Sequence, residues 1–212
     1  MDATRRGRRR ARTTALVAAS SLLVLTGCGG DEALTEDDAV ERVATAMREA
    51  PTFSFEWTSD IPDAGTTTDG VVRYDDEGEV DLLSLTTRDH DGSVTLEVRL
   101  IDGTMYERTG GAGEYAVLDD EARANHIEGW DWAGATEAWG DPESMEEVGE
   151  ADVEGTTTVE YEVDLGDQVH RWWVDDEDRL LRIDTGPDGG DGILRDWGEP
   201  VDVQVPDGVE SS

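Results

Sequence analysis

The chain has 212 residues, of which 52 are Asp or Glu and 17 are cationic, and its formal net charge is −35 at pH 7. All 17 cations are arginines, so a phosphate-loop lysine, a Schiff-base lysine and any other amine nucleophile are excluded. This length suits one domain, and so acidic a body is not expected to bind nucleic acid.

The first 27 residues have the three parts of a secretory signal peptide. Six arginines lie within the first 12 residues, an apolar stretch runs from Ala15 to Leu25, and small Thr26 and Gly27 precede the single cysteine, Cys28. The apolar stretch is too short to span a bilayer, which needs about 20 helical residues. The pattern therefore predicts a signal peptide over residues 1–27.

The segment Leu25-Thr26-Gly27-Cys28 resembles the lipobox of bacterial lipoproteins. The resemblance implies cleavage before Cys28 and a diacylglyceryl group on its sulfur. A lone exported cysteine has no disulfide partner, and two acyl chains give durable anchoring. We therefore expect Cys28 to be the lipidation site, with residues 28–34 as a tether and the protein anchored on the extracytoplasmic face of the cell membrane.

Two alternatives remain open for this segment. The chain could be an ordinary secreted protein with one free thiol, and export could follow the general secretory or the twin-arginine route. From Cys28 onward the chain has 11 arginines and 51 acidic residues, a net charge of −40. Such a body is repelled by an anionic membrane surface, so the lipid must provide the anchoring.

A helix is predicted after the tether. Thr35 is the expected N-cap with Asp38 three residues later, and Pro51 is expected to end the helix. One apolar stripe, at i, i+3, i+4 and i+7, comprises Val40, Val43, Ala44 and Met47. The stripe is interpreted as core packing.

From residue 52 the period of the apolar residues changes to two, which indicates antiparallel strands with one buried face. Alternation is clearest at 53–58, 95–100 and 158–164, and further strands are expected near 71–74, 80–87, 105–108, 114–118, 169–174 and 179–184. The acid-rich runs at 75–78, 89–92 and 175–178 are typical of short turns, so the strands should meander.

Residues 127–148 interrupt the meander. Tryptophans and alanines cluster there, and Asp141 with Pro142 predicts the start of a short helix. The sequence therefore predicts an α+β fold, in which helices cover the concave face of a curved antiparallel β-sheet. A single domain is expected over 35–206, with a frayed tail at 207–212.

No motif for catalysis, cofactor binding or metal binding is found. His90, His126 and His170 have no ligand spacing, and the acid clusters lack the alternation of a calcium-binding loop. The acid clusters are interpreted as solvated hairpin turns. No enzyme activity, cofactor or metal is expected.

Tryptophan is the enriched residue, with seven in the chain. Two interpretations are open. The indoles could build a core that is short of Leu, Ile and Phe, or several of them could line an apolar cavity between sheet and helices.

Four segments resemble the actinobacterial lipoprotein family of the LppX, LprA, LprF and LprG type, whose fold is related to the carriers LolA and LolB. The four segments are the helix and strand at 44–57, the strand entry at 148–161, the hairpin from Trp173 to Arg182, and the run from Asp196 to Val201 with Pro206, which resembles the family's closing strand. The resemblance implies a LolA-like half-barrel whose helices close a hydrophobic cavity, on a lipid anchor. It also implies binding or transfer of a lipid or lipidated glycan.

The leading hypothesis is an envelope lipoprotein that binds an apolar ligand without catalysis. The alternative is an interaction or sensor module of the same fold, with a filled interior and an envelope protein as partner. A monomer is expected in either case. The candidate wall residues of the cavity are Phe53, Phe55, Trp57, Leu96, Val98, Leu100, Trp130, Trp132, Trp139, Tyr161 and Trp172.

Overall fold

A computed structural model describes residues 33–59, 65–187 and 189–209. The signal peptide, Cys28, most of the tether and residues 210–212 lie outside the described residues. The described helices are α1 (Ala39–Glu49), α2 (Asp120–Trp130) and α3 (Trp132–Ala138). The described strands are β1 (Thr52–Ser59), β2 (Thr66–Tyr74), β3 (Val80–Asp89), β4 (Val94–Ile101), β5 (Thr104–Thr109), β6 (Ala116–Val117), β7 (Ser144–Val153), β8 (Thr156–Asp164), β9 (Val169–Val174), β10 (Leu180–Asp184) and β11 (Gly190–Arg195).

All of these strands belong to one open antiparallel sheet with the order β6-β5-β4-β3-β2-β1-β11-β10-β9-β8-β7. The first strand, β1, lies in the middle of the sheet, and the chain then meanders through β2 to β5 to one edge of the sheet at β6. After α2 and α3 it re-enters at the other edge, β7, and meanders back until β11 pairs with β1. The predicted α+β class with an antiparallel sheet is confirmed.

One face of the sheet is apolar and covered by the helices. A continuous row of buried side chains crosses five paired strands, from Met105 through Leu100, Leu83 and Val72 to Phe53. The predicted stripe of α1 is buried against this core. The opposite face carries ion pairs and one small apolar cluster formed by Val153, Trp173 and Leu181.

The start of α1 differs slightly from the expectation. The helix begins at Ala39, after a turn in which Asp38 accepts hydrogen bonds from the Thr35 backbone (2.8 Å) and hydroxyl (2.9 Å). The first of these bonds is the main cause that lowers the pKa of Asp38. Pro51 follows the C-cap residue Ala50, and the helix ends before it as predicted.

Two expectations from the sequence are wrong. Asp141 and Pro142 start no helix; they precede β7, and the helical segment lies earlier, at 120–138. The closing strand is β11, at 190–195, rather than the run from Asp196 onward. That run packs at the end of β1, where Gly198 donates a backbone hydrogen bond to Thr52 and the Trp197 ring lies 4.6 Å from that of Phe53.

Both errors have a physical reason. β7 is an edge strand that is mostly exposed on both faces, so its sequence carries no apolar alternation. In β11 the buried positions at its start are glycines, Gly190 and Gly192, which a search for apolar side chains does not detect. The predicted frayed tail is described only at 207–209, where Val209 bridges to Tyr115. None of the described helices has both the length and the apolar composition that are needed to span a bilayer.

Candidate functional site

Trp57 lies on the helix-facing side of β1, opposite Gly192 of β11 and Thr68 of β2. A β-carbon on Gly192 would lie 2.7 Å from Cε3 of Trp57, and one on Gly190 would lie 2.8 Å from Cζ2. Real β-carbons essentially never come this close to another atom. The two glycines therefore make the space in which the indole of Trp57 lies against β11.

The junction of α2 and α3 brings two further tryptophans to this place. Trp130 is the last residue of α2 and Trp132 is the first residue of α3, with Asp131 between them. The Oδ1 atom of Asp131 accepts hydrogen bonds from the backbone N–H of Gly134 (2.9 Å) and from the hydroxyl of Tyr74 (2.9 Å). The Tyr74 oxygen in turn accepts a bond from the backbone N–H of Ala133 (3.0 Å). The junction is thus fixed to β2.

Tyr74 is almost fully buried, and this burial raises the pKa of its hydroxyl well above the usual range. The hydroxyl therefore stays protonated and can donate to Asp131 throughout the neutral range.

Between the junction and the sheet lies a cavity of about 200 Å³. We call it the tryptophan cavity, because four indoles line it. Its complete lining is Trp57, Gly129, Trp130, Asp131, Trp132, Ala135, Trp139, Ile183 and Thr185. Most of the surface of the cavity is apolar, and the cavity is partly open to solvent.

The rings around the cavity lie in different planes. Trp57 and Trp132 meet edge to face, with centroids 5.5 Å apart and planes at 62°. Trp130 stacks on Phe55 at 5.2 Å, and Trp139 lies 5.8 Å from Trp172. The indoles therefore form walls at several angles rather than one parallel stack.

Behind Trp139 lies a buried histidine. The rings of Trp139 and His170 meet edge to face at 4.9 Å, and only 1% of His170 is exposed. Its Nε2 lies 3.1 Å from Oε1 of Gln168, while Nδ1 has no hydrogen-bond partner among the described residues. Burial lowers the pKa of His170, although Asp184 and Asp167 act in the opposite direction.

Of the eleven wall residues predicted from the sequence, Trp57, Trp130, Trp132 and Trp139 line this cavity. The others do not. Leu96 is half-buried against the hydrophobic core. The remaining six are buried within the hydrophobic core, namely Phe53, Phe55, Val98, Leu100, Tyr161 and Trp172. The function of all eleven in ligand binding stays a prediction.

Sequence reasoning missed Asp131, Tyr74 and the two glycines of β11. The Gly-x-Gly spacing at 190–192 was a usable signal, because glycines at alternate positions of a strand allow a close approach from one face. Tyr74 and Asp131 are 57 residues apart, and no local pattern links them.

The acid clusters form hairpin turns as predicted, although Asp175 is buried rather than solvated. Asp75 accepts backbone hydrogen bonds from Glu77 and Glu79 through one carboxylate oxygen, and Asp175 does the same with Glu177 and Arg179. These aspartates therefore shape the turns that join β2 to β3 and β9 to β10. Within the described ranges, no group of three or more His, Cys, Asp or Glu side chains could hold a metal ion.

Larger hollows have polar or acidic walls. One of about 590 Å³ lies beside Leu34 and Tyr161 and is lined by five carboxylates from β7 and the β9–β10 turn. Another of about 380 Å³ lies on the outer face of the sheet, between Ser54 and Ser84. The first also has an apolar part, formed by Leu34, Val159, Tyr161 and Val174, so Tyr161 lines this hollow and not the tryptophan cavity. The tryptophan cavity differs from both hollows in the small polar share of its wall, and a lipid group requires a mostly apolar wall.

No protein-family profile matches the chain, and no curated protein sequence is significantly similar to it. Among solved structures, LprF from Mycobacterium bovis is similar to this chain with a TM-score of 0.59 and 16% identity, over 81% of this chain and 96% of LprF. MucB in complex with MucA(peri) is similar with a TM-score of 0.46 and 17% identity, over 84% of this chain and 62% of MucB. The LprF likeness confirms the expected LolA-like fold.

Proposed function

We propose that this protein is a lipid-anchored envelope protein that binds an apolar group of a ligand in the tryptophan cavity, without catalysis. The observation that carries the proposal is the cavity itself. Four indoles enclose a mostly apolar space of about 200 Å³ between the sheet and the α2–α3 junction. The family resemblance of the sequence favours a lipid or lipidated glycan as the source of this group.

The size of the cavity limits what enters it. Sites for whole small-molecule ligands usually begin at about 300 Å³, so the described state admits one end of a lipid rather than the whole molecule. Burial of each apolar CH₂ group contributes about 0.8 kcal/mol. A short apolar segment therefore gives a weak but useful affinity.

Helix α2 is the element that would move to enlarge the cavity. It buries no residue completely. It is attached by a hydrogen bond from Arg123 to the carbonyl of Gly103 (2.7 Å) and by the contact between His126 and Glu107 (2.9 Å). Ile127 and Trp130 are partly buried against the core, and Trp130 stacks on Phe55. Displacement of α2 would expose Phe55 beside Trp57 and Trp132, which would lengthen the apolar floor.

The proposed anchor would hold the cavity close to the membrane. Leu34 is buried, and its backbone N–H lies 3.3 Å from the hydroxyl of Tyr161, so this residue is packed against the described domain. Cys28 is six residues earlier, and six extended residues span roughly 20 Å. A diacylglyceryl group on Cys28 would thus keep the domain within about that distance of the bilayer.

Asp38 and Glu137 are two carboxylates whose pKa is clearly shifted. Asp38 and Glu137 have a lowered pKa, because of the Thr35 backbone and the Arg48 side chain respectively. Both are near the surface and outside the tryptophan cavity.

Native mass spectrometry of the protein extracted from its host membrane tests ligand binding. We expect a lipid to co-purify with the unchanged protein and to be lost from Ala135→Phe, because Ala135 lines the cavity and the added ring fills it. Ala138→Phe is the matched control, since Ala138 is exposed on the same helix and outside the lining. Absence of lipid from the unchanged protein, or equal retention by both variants, would contradict the proposal.

The anchor is tested separately with Cys28→Ser. We expect this variant to lack the acyl chains and to move from the detergent phase to the aqueous phase in phase partitioning. If it still partitions with detergent, Cys28 is not the anchor, whatever the ligand result.

One observation favours the alternative function as an interaction module. β7 is a ten-residue edge strand, paired within the described chain only with β8, and it exposes Val148 together with several acidic side chains. Such an edge can accept a strand from a partner, although its charge discourages self-association. A stoichiometric co-purifying protein that slows hydrogen exchange along β7 would favour this function over lipid binding.

A further inference from the structure

The tryptophan cavity has a distinctive combination of charge and aromatic surface. Asp131 is the only charged residue among those that line it in the described part of the chain. Arg48 acts electrostatically on Asp131, but its guanidinium is paired with both carboxylate oxygens of Glu137. A cation that enters the cavity would therefore meet one carboxylate and no uncompensated arginine.

Indoles are the aromatic groups that attract cations most strongly, through the negative potential over their faces. Aromatic rings set at several angles around a small space are the usual host for a methylated ammonium group, whose methyls need apolar contact while its charge is attracted by the rings. Four tryptophans line the tryptophan cavity, and the planes of Trp57 and Trp132 lie at 62° to each other, which is the kind of arrangement that such a host uses.

The net charge of the protein acts in the same direction. An excess of about 40 negative charges over the chain from Cys28 onward raises the local concentration of cations and repels anions. A carboxylate or phosphate end of a ligand would have to approach Asp131 without a compensating positive charge in the wall. A neutral acyl end would gain nothing from this field.

We infer that the tryptophan cavity binds a methylated ammonium group, either the head of a choline-type lipid or a free quaternary ammonium compound. This inference rests on the proposed function, because it names the ligand class of the same cavity. It also fits the volume of about 200 Å³, which suits a compact head group better than a chain.

The test compares choline with 3,3-dimethylbutan-1-ol, which has the same shape but carries a carbon in place of the charged nitrogen. Both are titrated into detergent-solubilised full-length protein and followed by ligand-observed NMR of their equivalent methyl groups, with potassium chloride keeping the ionic strength constant. We expect choline to bind about tenfold more tightly or better. Equal affinity, or tighter binding of the neutral alcohol, would overturn the inference and leave the proposed apolar site intact.

Asp131→Asn separates charge from structure. The amide oxygen of Asn can still accept the hydrogen bonds of Gly134 and Tyr74, so the helix junction is preserved. We expect the variant to weaken choline binding several-fold and to weaken binding of the neutral alcohol much less. A parallel loss of both ligands would mean that Asp131 acts only on the shape of the cavity, which would contradict its place in cation binding.

Two further arms identify the source of the group. Phosphatidylcholine vesicles that bind the unacylated Cys28→Ser protein, and lose it on addition of free choline, indicate a lipid head group. Vesicles of phosphatidylethanolamine, which is also zwitterionic but lacks the methyl groups, are the control. Binding of free choline without any vesicle preference indicates a soluble compound, and both results support the inference. If neither choline nor the alcohol binds, the inference is wrong, and native mass spectrometry decides independently whether the proposed function fails as well.

Discussion

The indole of Trp57 occupies the space that a side chain at Gly192 would need. A β-carbon at this glycine would lie 2.7 Å from Cε3 of Trp57 and 3.1 Å from Cη2 of Trp132, so Gly192→Ala must displace at least one wall of the tryptophan cavity. Overpacking of this kind destabilises a fold by about 1–3 kcal/mol. We expect urea unfolding to show a decrease of this size in the free energy of unfolding of Gly192→Ala, and we expect its tryptophan emission spectrum to change.

Gly129→Ala is the matched control, because it makes the same chemical change on the opposite side of the cavity. A β-carbon there would meet nothing within 4 Å, and Gly129 is inside α2. We therefore expect stabilisation by about 0.5–1 kcal/mol, as for glycine to alanine in an exposed helix. Equal destabilisation by both substitutions would mean that the close approach to Trp57 is not the cause.

Tyr74→Phe should loosen the α2–α3 junction. The substitution removes the donor to Asp131 and leaves the backbone N–H of Ala133 without its acceptor in a buried place. Loss of a buried hydrogen-bond partner costs about 1–3 kcal/mol. We expect urea unfolding to show this decrease in the free energy of unfolding of Tyr74→Phe, and we expect backbone hydrogen exchange in α3 to be faster. Tyr106→Phe is the control, because within the described residues the Tyr106 hydroxyl makes no hydrogen bond, and it should change stability by less than about 0.5 kcal/mol.

The sequence predicted the parts of the fold that depend on apolar alternation. β1, β4 and β8 each have a buried face that repeats every second residue, and the stripe of α1 repeats with the helical period, so each could be recognised locally. β7 and β11 could not, since one is exposed on both faces and the other buries glycines.

The candidate site was only half predictable. The abundance of tryptophan drew attention to Trp130, Trp132 and Trp139, and local composition sufficed for that. Whether an indole lines a cavity or fills the core depends on pairings between distant strands. Trp172 and Trp57 lie on the same face of the sheet, yet Trp172 is fully buried, whereas Trp57 lines the cavity. No pattern within either segment distinguishes them.

The ion pair between Arg42 and Asp178 joins α1 to the β9–β10 turn. The Nε atom of Arg42 donates to Oδ2 of Asp178 (3.0 Å) and Nη2 donates to Oδ1 (2.7 Å), between residues 136 apart in the chain. Asp178 has a positive φ of 60°, a conformation that Asn also tolerates, so Asp178→Asn removes the charge without backbone strain. We expect a loss of about 1 kcal/mol or less, since both side chains are partly exposed.

The electrostatic part of that loss should shrink as salt is added, because partly exposed charges are screened. Asp76→Asn is the control in the β2–β3 turn, where the aspartate is exposed and makes no ion pair with any described residue. Urea unfolding at low and at high salt measures the free energy of unfolding of both variants. A loss for Asp178→Asn that is independent of salt would contradict an electrostatic origin.

His170 should make the stability of the protein depend on pH. Burial holds the pKa of this histidine below its ordinary value. Between this lowered pKa and about pH 6.5, the imidazole is therefore neutral in the folded protein but takes up a proton in the unfolded chain. In this pH range the unfolded state binds more protons than the folded state, so the free energy of unfolding rises with pH. The contribution is complete above about pH 6.5 and is lost progressively as the pH falls towards the lowered pKa.

Asp184 and Asp167 are the charged groups that oppose this shift, and Gln168 and Trp139 are uncharged. His170→Gln removes the titration and leaves the other histidines and the acidic residues in place. We expect the free energy of unfolding of the unchanged protein, minus that of the variant, to decrease between pH 7.5 and 5.5, by at most about 1.4 kcal/mol per pH unit because one proton is involved. A constant difference across this range would mean that His170 is protonated equally in the folded and unfolded states, and that its burial beside Trp139 does not restrict its charge.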